Sequence, residues 1–179
     1  MPLKSSLCYS VALATVATAT LAPVASAATF NLSYTSSAGT ITATVDGTLQ
    51  PDNNTVFVSS ISNTTFNGSP APALPFVGSF LDLFSTGFLT GQAVLSLDGS
   101  GLDFFACDNT DCDNDLFGFL PATVFGVEVF ASGTAYGGVL EPFVLADYSL
   151  TTVPEPATVL GLLSVAGVGL LCKRRKLEK

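Results

Sequence analysis

The chain has 179 residues, 48% hydrophobic and only 11% charged, so its soluble surface must be built from Ser, Thr, Asn and Gly. Six basic residues oppose fourteen acidic ones, and the six are Lys4 and the terminal Lys173, Arg174, Arg175, Lys176 and Lys179, which leaves a purely acidic interior. That interior excludes a phosphate-neutralising surface for nucleic acid; the absence of histidine removes the commonest general base and metal ligand.

Residues 1–27 have the order of a secretory signal peptide: one positive charge at Lys4, an apolar run from about Val11 to Ala22, then Pro23 and small residues. Ala25 and Ala27 supply the small-x-small site a signal peptidase requires. Cleavage after Ala27 makes Ala28 the new N-terminus and implies passage through a secretion translocon. Cys8 does not mark a lipoprotein, because Leu7 stands where a small residue is needed.

Residues 28–152 read as an exported all-β domain. "ATFNLSY" puts Phe30, Leu32 and Tyr34 on one face, and "GTITATVDGTLQ" does the same for Ile41, Ala43 and Val45. Such period-two patterning marks half-buried strands. "TVFVSSI", "AVLSLDG", "TVFGVEVF" and "FVLADYSLTTV" continue it, with Asp46-Gly47, Asn67-Gly68, Asp98-Gly99 and Ser132-Gly133 as turns. No segment here shows a helical period. An antiparallel β-sandwich or jelly-roll of about eight to ten strands follows. "GSPAPALPF" at 68–76 reads as a loop between strand groups, and the Asn-x-Ser/Thr triplets at Asn31, Asn53, Asn63 and Asn67 read as polar surface.

The densest polar stretch is "FFACDNTDCDND". Cys107 and Cys112 are the cysteines of the exported body, and in an oxidising compartment they are expected to pair. A loop this short gains about 2 kcal/mol from closure. The disulfide would fix Asp108, Asp111, Asp113 and Asp115 around a tight turn, making these four the candidate calcium ligands. Asp111, Asp113 and Asp115 have the spacing of an EF-hand's first ligands, but Leu116 and Ala122 stand where that loop needs Gly and Glu. A solvated acidic hairpin is the favoured reading, and no cofactor is expected. Catalysis would have to rest on the carboxylates of Glu128 and Glu141, as in glycoside hydrolysis; Glu128 is equally readable as an outward-facing strand residue, and no catalytic residue is assigned.

The chain closes with "VPEPATVLGLLSVAGVGLLCKRRKLEK", residues 153–179. Pro154 and Pro156 fix their own φ and hold Val153 and Glu155 extended, a backbone that a peptide-cleaving groove can grip. The apolar run 157–172 would reach about 24 Å as a helix, short of a hydrocarbon core of about 30 Å. Lys173, Arg174, Arg175 and Lys176 act as a membrane stop and keep the end of the tail, 173–179, cytoplasmic, which places the preceding domain outside.

Pro154-Glu155-Pro156, a short apolar helix and a terminal basic cluster, in this order, resemble the PEP-CTERM sorting signal of bacterial surface proteins. The resemblance implies recognition by exosortase, a membrane-embedded cysteine transpeptidase that removes the tail, and association with the envelope or exopolysaccharide matrix. The expected protein is therefore non-catalytic, held in the inner membrane by one pass and then delivered to the cell surface or beyond. A calcium- or carbohydrate-binding adhesion module and a glycan-active enzyme are the alternatives.

Overall fold

The computed structural model describes residues 25–121, 128–133 and 135–154. The expected signal helix, the apolar run 157–172 and the basic residues 173–179 lie outside the described residues, as do Glu155 and Pro156. Among the described residues, no helix is long and apolar enough to cross a membrane.

The alternation of the first two segments folds as read, whereas in "FVLADYSLTTV" a 3₁₀ turn at Leu145–Asp147 precedes the strand and residues 122–127 lie outside the described residues. Strand β1 (Ser26–Thr35) buries Phe30, Leu32 and Tyr34, and β2 (Thr40–Leu49) buries Ile41, Ala43 and Val45. They pair antiparallel with Leu32 opposite Ala43, and β2 pairs in turn with β3 (Thr55–Phe66). Two register shifts interrupt the β2–β3 ladder, between Thr42 and Thr44 and between Asp46 and Gly47. Asn63, at the first shift, takes a left-handed φ of 50°, which Asn tolerates better than other side chains.

Asp46-Gly47 is thus no turn. It lies inside β2, where Asp46 accepts the hydroxyl hydrogens of Thr29 (2.8 Å) and Ser60 (3.2 Å). Gly47 lets the partner strand approach, since a Cβ there would lie 2.7 Å from the Phe57 carbonyl oxygen. Asn67-Gly68 does turn the chain, with φ of 52° and 77°, and the Asn67 side chain accepts the Thr40 amide at 2.9 Å.

Short strands complete two sheets. In the first, β4 (Ser69–Pro70) and β6 (Val94–Ser96) both pair with β3, while β11 (Tyr148–Thr152) pairs with β1, giving the order β11-β1-β2-β3-β4. The second contains β5 (Phe76–Gly78), β7 (Phe104–Cys107), β8 (Leu116–Leu120), β9 (Glu128–Ser132) and β10 (Val139–Pro142), in the order β10-β9-β8-β7-β5. All pairings are antiparallel, so the all-β antiparallel expectation holds.

Both sheets feed one hydrophobic cluster, Phe30, Leu32 and Val45 from the first meeting Phe104, Phe117, Phe119 and Val129 from the second. Phe119 stands edge-on to Tyr34 at 5.5 Å and to Tyr148 at 5.6 Å.

No helical period marks this body, yet it contains a helix. A helix, α1 (Phe80–Thr86), sits between β5 and β6, capped by the Ser79 hydroxyl accepting the Asp82 amide and closed by Gly87 at φ 78°. Seven residues make fewer than two turns, too few for a period to register, so only its cap residues could have announced it.

Three buried phenols give the fold an alkaline limit. Burial pushes Tyr148 far above its ordinary value, with the charge of Asp98 adding to it. Tyr34 and Tyr136 are raised first by the same desolvation. Because each folded value lies above the unfolded one, the stability they contribute is complete below about pH 10 and is lost as pH climbs toward the folded values. The melting temperature should hold steady from neutral pH to about 9 and then fall, less steeply for Tyr148→Phe. A melting temperature unchanged to about pH 12 would show that the phenols stay accessible to base.

Candidate functional site

The end of the body is a strand tied on one side. In β11, Tyr148 pairs with Tyr34, Leu150 with Leu32 and Thr152 with Phe30. Leu150 is buried in the core, and the Tyr148 hydroxyl donates to the Ser96 carbonyl at 2.8 Å. Ser149, Thr151 and Thr152 face solvent. One further bond follows the strand, from the Val153 amide to the Thr29 carbonyl at 2.8 Å. Pro154 comes next and is exposed. It has no N–H to donate, so the ladder must stop there. The Pro154-Glu155-Pro156 motif therefore begins, in sequence, at the residue where β-pairing ends.

Ala25, Ala27 and Ala28 come just before Thr29, whose carbonyl binds the Val153 amide, so they lie at the same end of β1 as the end of β11. Ala25 and Ala27 are exposed, and Ala27 and Ala28 occupy the start of β1, opposite Thr48 and Gly47. Cutting after Ala27 removes only the first two, exposed positions of that strand and leaves Phe30, Leu32 and Tyr34 in place.

The acidic stretch is the loop of the β7–β8 hairpin. Cys107 ends β7 opposite Leu116, and it is bonded to Cys112 with the Cα atoms 5.2 Å apart. Cys112 adopts φ 51° to close the ring. Three of the four carboxylates are turned to separate partners: Asp108 accepts from the Asn114 amide at 2.8 Å, Asp113 from the Asn109 amide at 2.9 Å, and the buried Asp115 from the Ala135 backbone at 3.4 Å. Asp111 uses its backbone amide, which donates to Asn109 at 3.0 Å. Among the described residues, no group of three or more His, Cys, Asp or Glu is arranged to hold a metal ion. Asp108, Asp111, Asp113 and Asp115 are thus not brought together as a ligand set: Asn114 and Asn109 bind one oxygen each of Asp108 and Asp113, while the other Asp108 oxygen is buried without a hydrogen-bond partner among the described residues.

Glu128 and Glu141 do not converge either. Glu141 lies opposite Val129, one row from the pairing of Glu128 with Pro142, and successive rows of a sheet point to opposite faces. Glu141 instead binds the β1–β2 hairpin, accepting the Ser37 hydroxyl at 2.5 Å and its amide at 3.1 Å. On the outer face of the second sheet, Phe80, Leu83 and Phe84 of α1 meet Phe105 and Phe130 around an open cleft of about 480 Å³, rimmed by Asp111 and Asp113.

Comparison with known proteins bears on the tail. Residues 152–176 match the PEP-CTERM protein-sorting motif. The PEP-CTERM match includes every element of the tail read from the sequence: Pro154, Glu155 and Pro156, the apolar run, and the basic Lys173, Arg174, Arg175 and Lys176. Its first two residues, Thr152 and Val153, are also the last two held by β1. A PEP-CTERM tail implies export, exosortase-dependent processing and sorting to the cell surface. No curated protein and no solved structure is significantly similar to the chain.

Proposed function

We propose that the protein is a non-catalytic component of the cell surface or extracellular matrix, exported as a β-sandwich body and held in the membrane by residues 157–172 until an exosortase-type transpeptidase removes the tail. Signal peptidase and the translocon deliver it, and the exopolysaccharide matrix is its destination, to which the cleft beside α1 presents aromatic faces and the Asp111 and Asp113 carboxylates. The observation that carries this reading is the sorting-motif match at 152–176, set directly against the last body strand.

In the processing step, the enzyme's thiolate attacks a backbone carbonyl near the Pro154–Pro156 element. The peptide C–N bond breaks and the tail leaves with a protonated new amino group. The resulting thioester is resolved by water or an acceptor nucleophile, which takes the body and returns the thiol. Intact mass measured on membrane, periplasmic and external fractions tests this. The wild-type external form should lack the tail, whereas Pro154→Ala or Glu155→Ala should accumulate full-length in the membrane. A wild-type tail that persists in every fraction would make this an ordinary single-pass protein.

A further inference from the structure

The sorting motif and the fold compete for the same residues. A peptide-cleaving groove encloses an extended backbone on both sides of the bond it cuts, engaging its main-chain groups as an added strand would. Here the residues on the body side are already engaged: Thr152 is paired with Phe30, and the Val153 amide is bound to Thr29. Only Pro154, Glu155 and Pro156 separate that bond from the apolar run, a span of at most about 10 Å. An enzyme working at the membrane surface would meet the folded sheet before it could surround the chain.

β11 is built to move without the rest. Among the described residues it stands at the end of its sheet with β1 as its one neighbour, so its release leaves the β1–β2–β3 ladder whole. Two side chains anchor it, Tyr148 and Leu150, and the remaining three face solvent. A single 3₁₀ turn, Leu145–Asp147, precedes it with no buried residue, giving the chain a place to swing. Edge elements of this kind open locally at far lower cost than global unfolding.

We infer that β11 is a latch, and that the processing enzyme acts on the tail only while Tyr148–Val153 is detached from β1. The inference rests on the exosortase-processed reading and adds a control to it: the rate of tail removal is set by how often the last strand leaves the sheet. A latched body resists cutting, and a loosened one is cut faster.

The test uses the full-length protein in cells that process it, with tail removal followed by intact mass over time. Asn31 and Thr151 are register partners on the solvent face, so Asn31→Cys with Thr151→Cys can lock β11 to β1 in the oxidising compartment. Locking should slow removal at least about tenfold against either single-cysteine variant, because it abolishes the minor open state. Inserting a six-residue Gly-Ser spacer between Val153 and Pro154 should restore the rate while the lock stays closed. Independently of any cross-link, Tyr148→Phe loses the Ser96 bond and should speed removal about two- to tenfold. Locked protein processed as fast as its controls overturns the latch while leaving the sorting reading intact, as does a lock whose block the spacer fails to relieve. If the wild type keeps its tail as well, the sorting reading itself falls.

Discussion

Replacing Phe119 by alanine is expected to cost about 3–5 kcal/mol, a large part of the roughly 5–15 kcal/mol that keeps a domain folded. Phe119 has no exposed surface, and its ring touches aromatic neighbours from both sheets. Tyr34 lies 5.5 Å away and Tyr148 5.6 Å away on the first sheet, Phe117 5.0 Å and Phe104 6.3 Å away on the second, and Phe143 5.8 Å away just after β10. These are rigid rings in edge-on and tilted contacts, so they collapse poorly into a vacated space, and the cavity term adds to the lost transfer energy. The melting temperature should drop by roughly 10–20 °C. Phe119→Leu, which keeps most of the volume, should cost about 1.5 kcal/mol or less. An alanine variant that melts with the wild type would mean that the two sheets are not coupled through this ring.

Gly118→Ala is expected to be nearly as damaging by the opposite mechanism. A Cβ at this position would lie 2.3 Å from Cδ2 of Phe105 and 2.6 Å from the Phe104 carbonyl oxygen. The ring could yield only by moving into its own neighbours, since Phe105 is stacked on Phe130 at 6.1 Å and pressed by Phe80 at 5.3 Å. The carbonyl belongs to the ladder between β7 and β8 and cannot yield at all without breaking it. Overpacking of this kind costs about 3 kcal/mol, which should lower the melting temperature by about 10 °C. Gly68→Ala is the comparison: nothing lies within 4 Å of its Cβ, and only the left-handed backbone is strained, for about 1 kcal/mol. Equal melting temperatures for the two variants would show that the tight spacing at Gly118 is not maintained in solution.

The strands that could be read from the sequence are those with one wet face. β1, β2 and β3 alternate because Asn31, Ser33, Thr42 and Thr44 stand on the outside while Phe30, Leu32, Ile41 and Val45 stand within. β7 and β8 could not be read this way. Every residue of "FFAC" and "LFGFL" is buried, because α1 and the Phe105–Phe130 pair cover the second sheet's outer face. A strand buried on both faces has no period-two signal. Asp46-Gly47 misled for a related reason: a dipeptide that suits a hairpin turn also suits a bulge, and local chemistry alone does not separate the two. The sorting motif was legible because its meaning lies in composition and order rather than in contacts. Its collision with β11 was not, since only the pairing of Thr152 with Phe30 reveals it. The carboxylates of the disulfide loop illustrate the converse, for their spacing suggests a cation while Asp113 and Asp108 each accept from a neighbouring Asn, Asn109 and Asn114, that the spacing does not reveal.

The pairing of β11 with β1 joins the last strand made to the first. β1 is made first, and its outer edge stays unsatisfied until β11, more than a hundred residues later in the chain, is available to pair with it. Contacts so distant in sequence form late, after the local meander has already condensed. Closure of this sheet is therefore among the last events of folding, and β11 spends longer unpaired than any strand of the β1–β2–β3 meander. With β11 as a latch, a chain cut before this pairing forms and a chain that pairs first would be processed at two different rates.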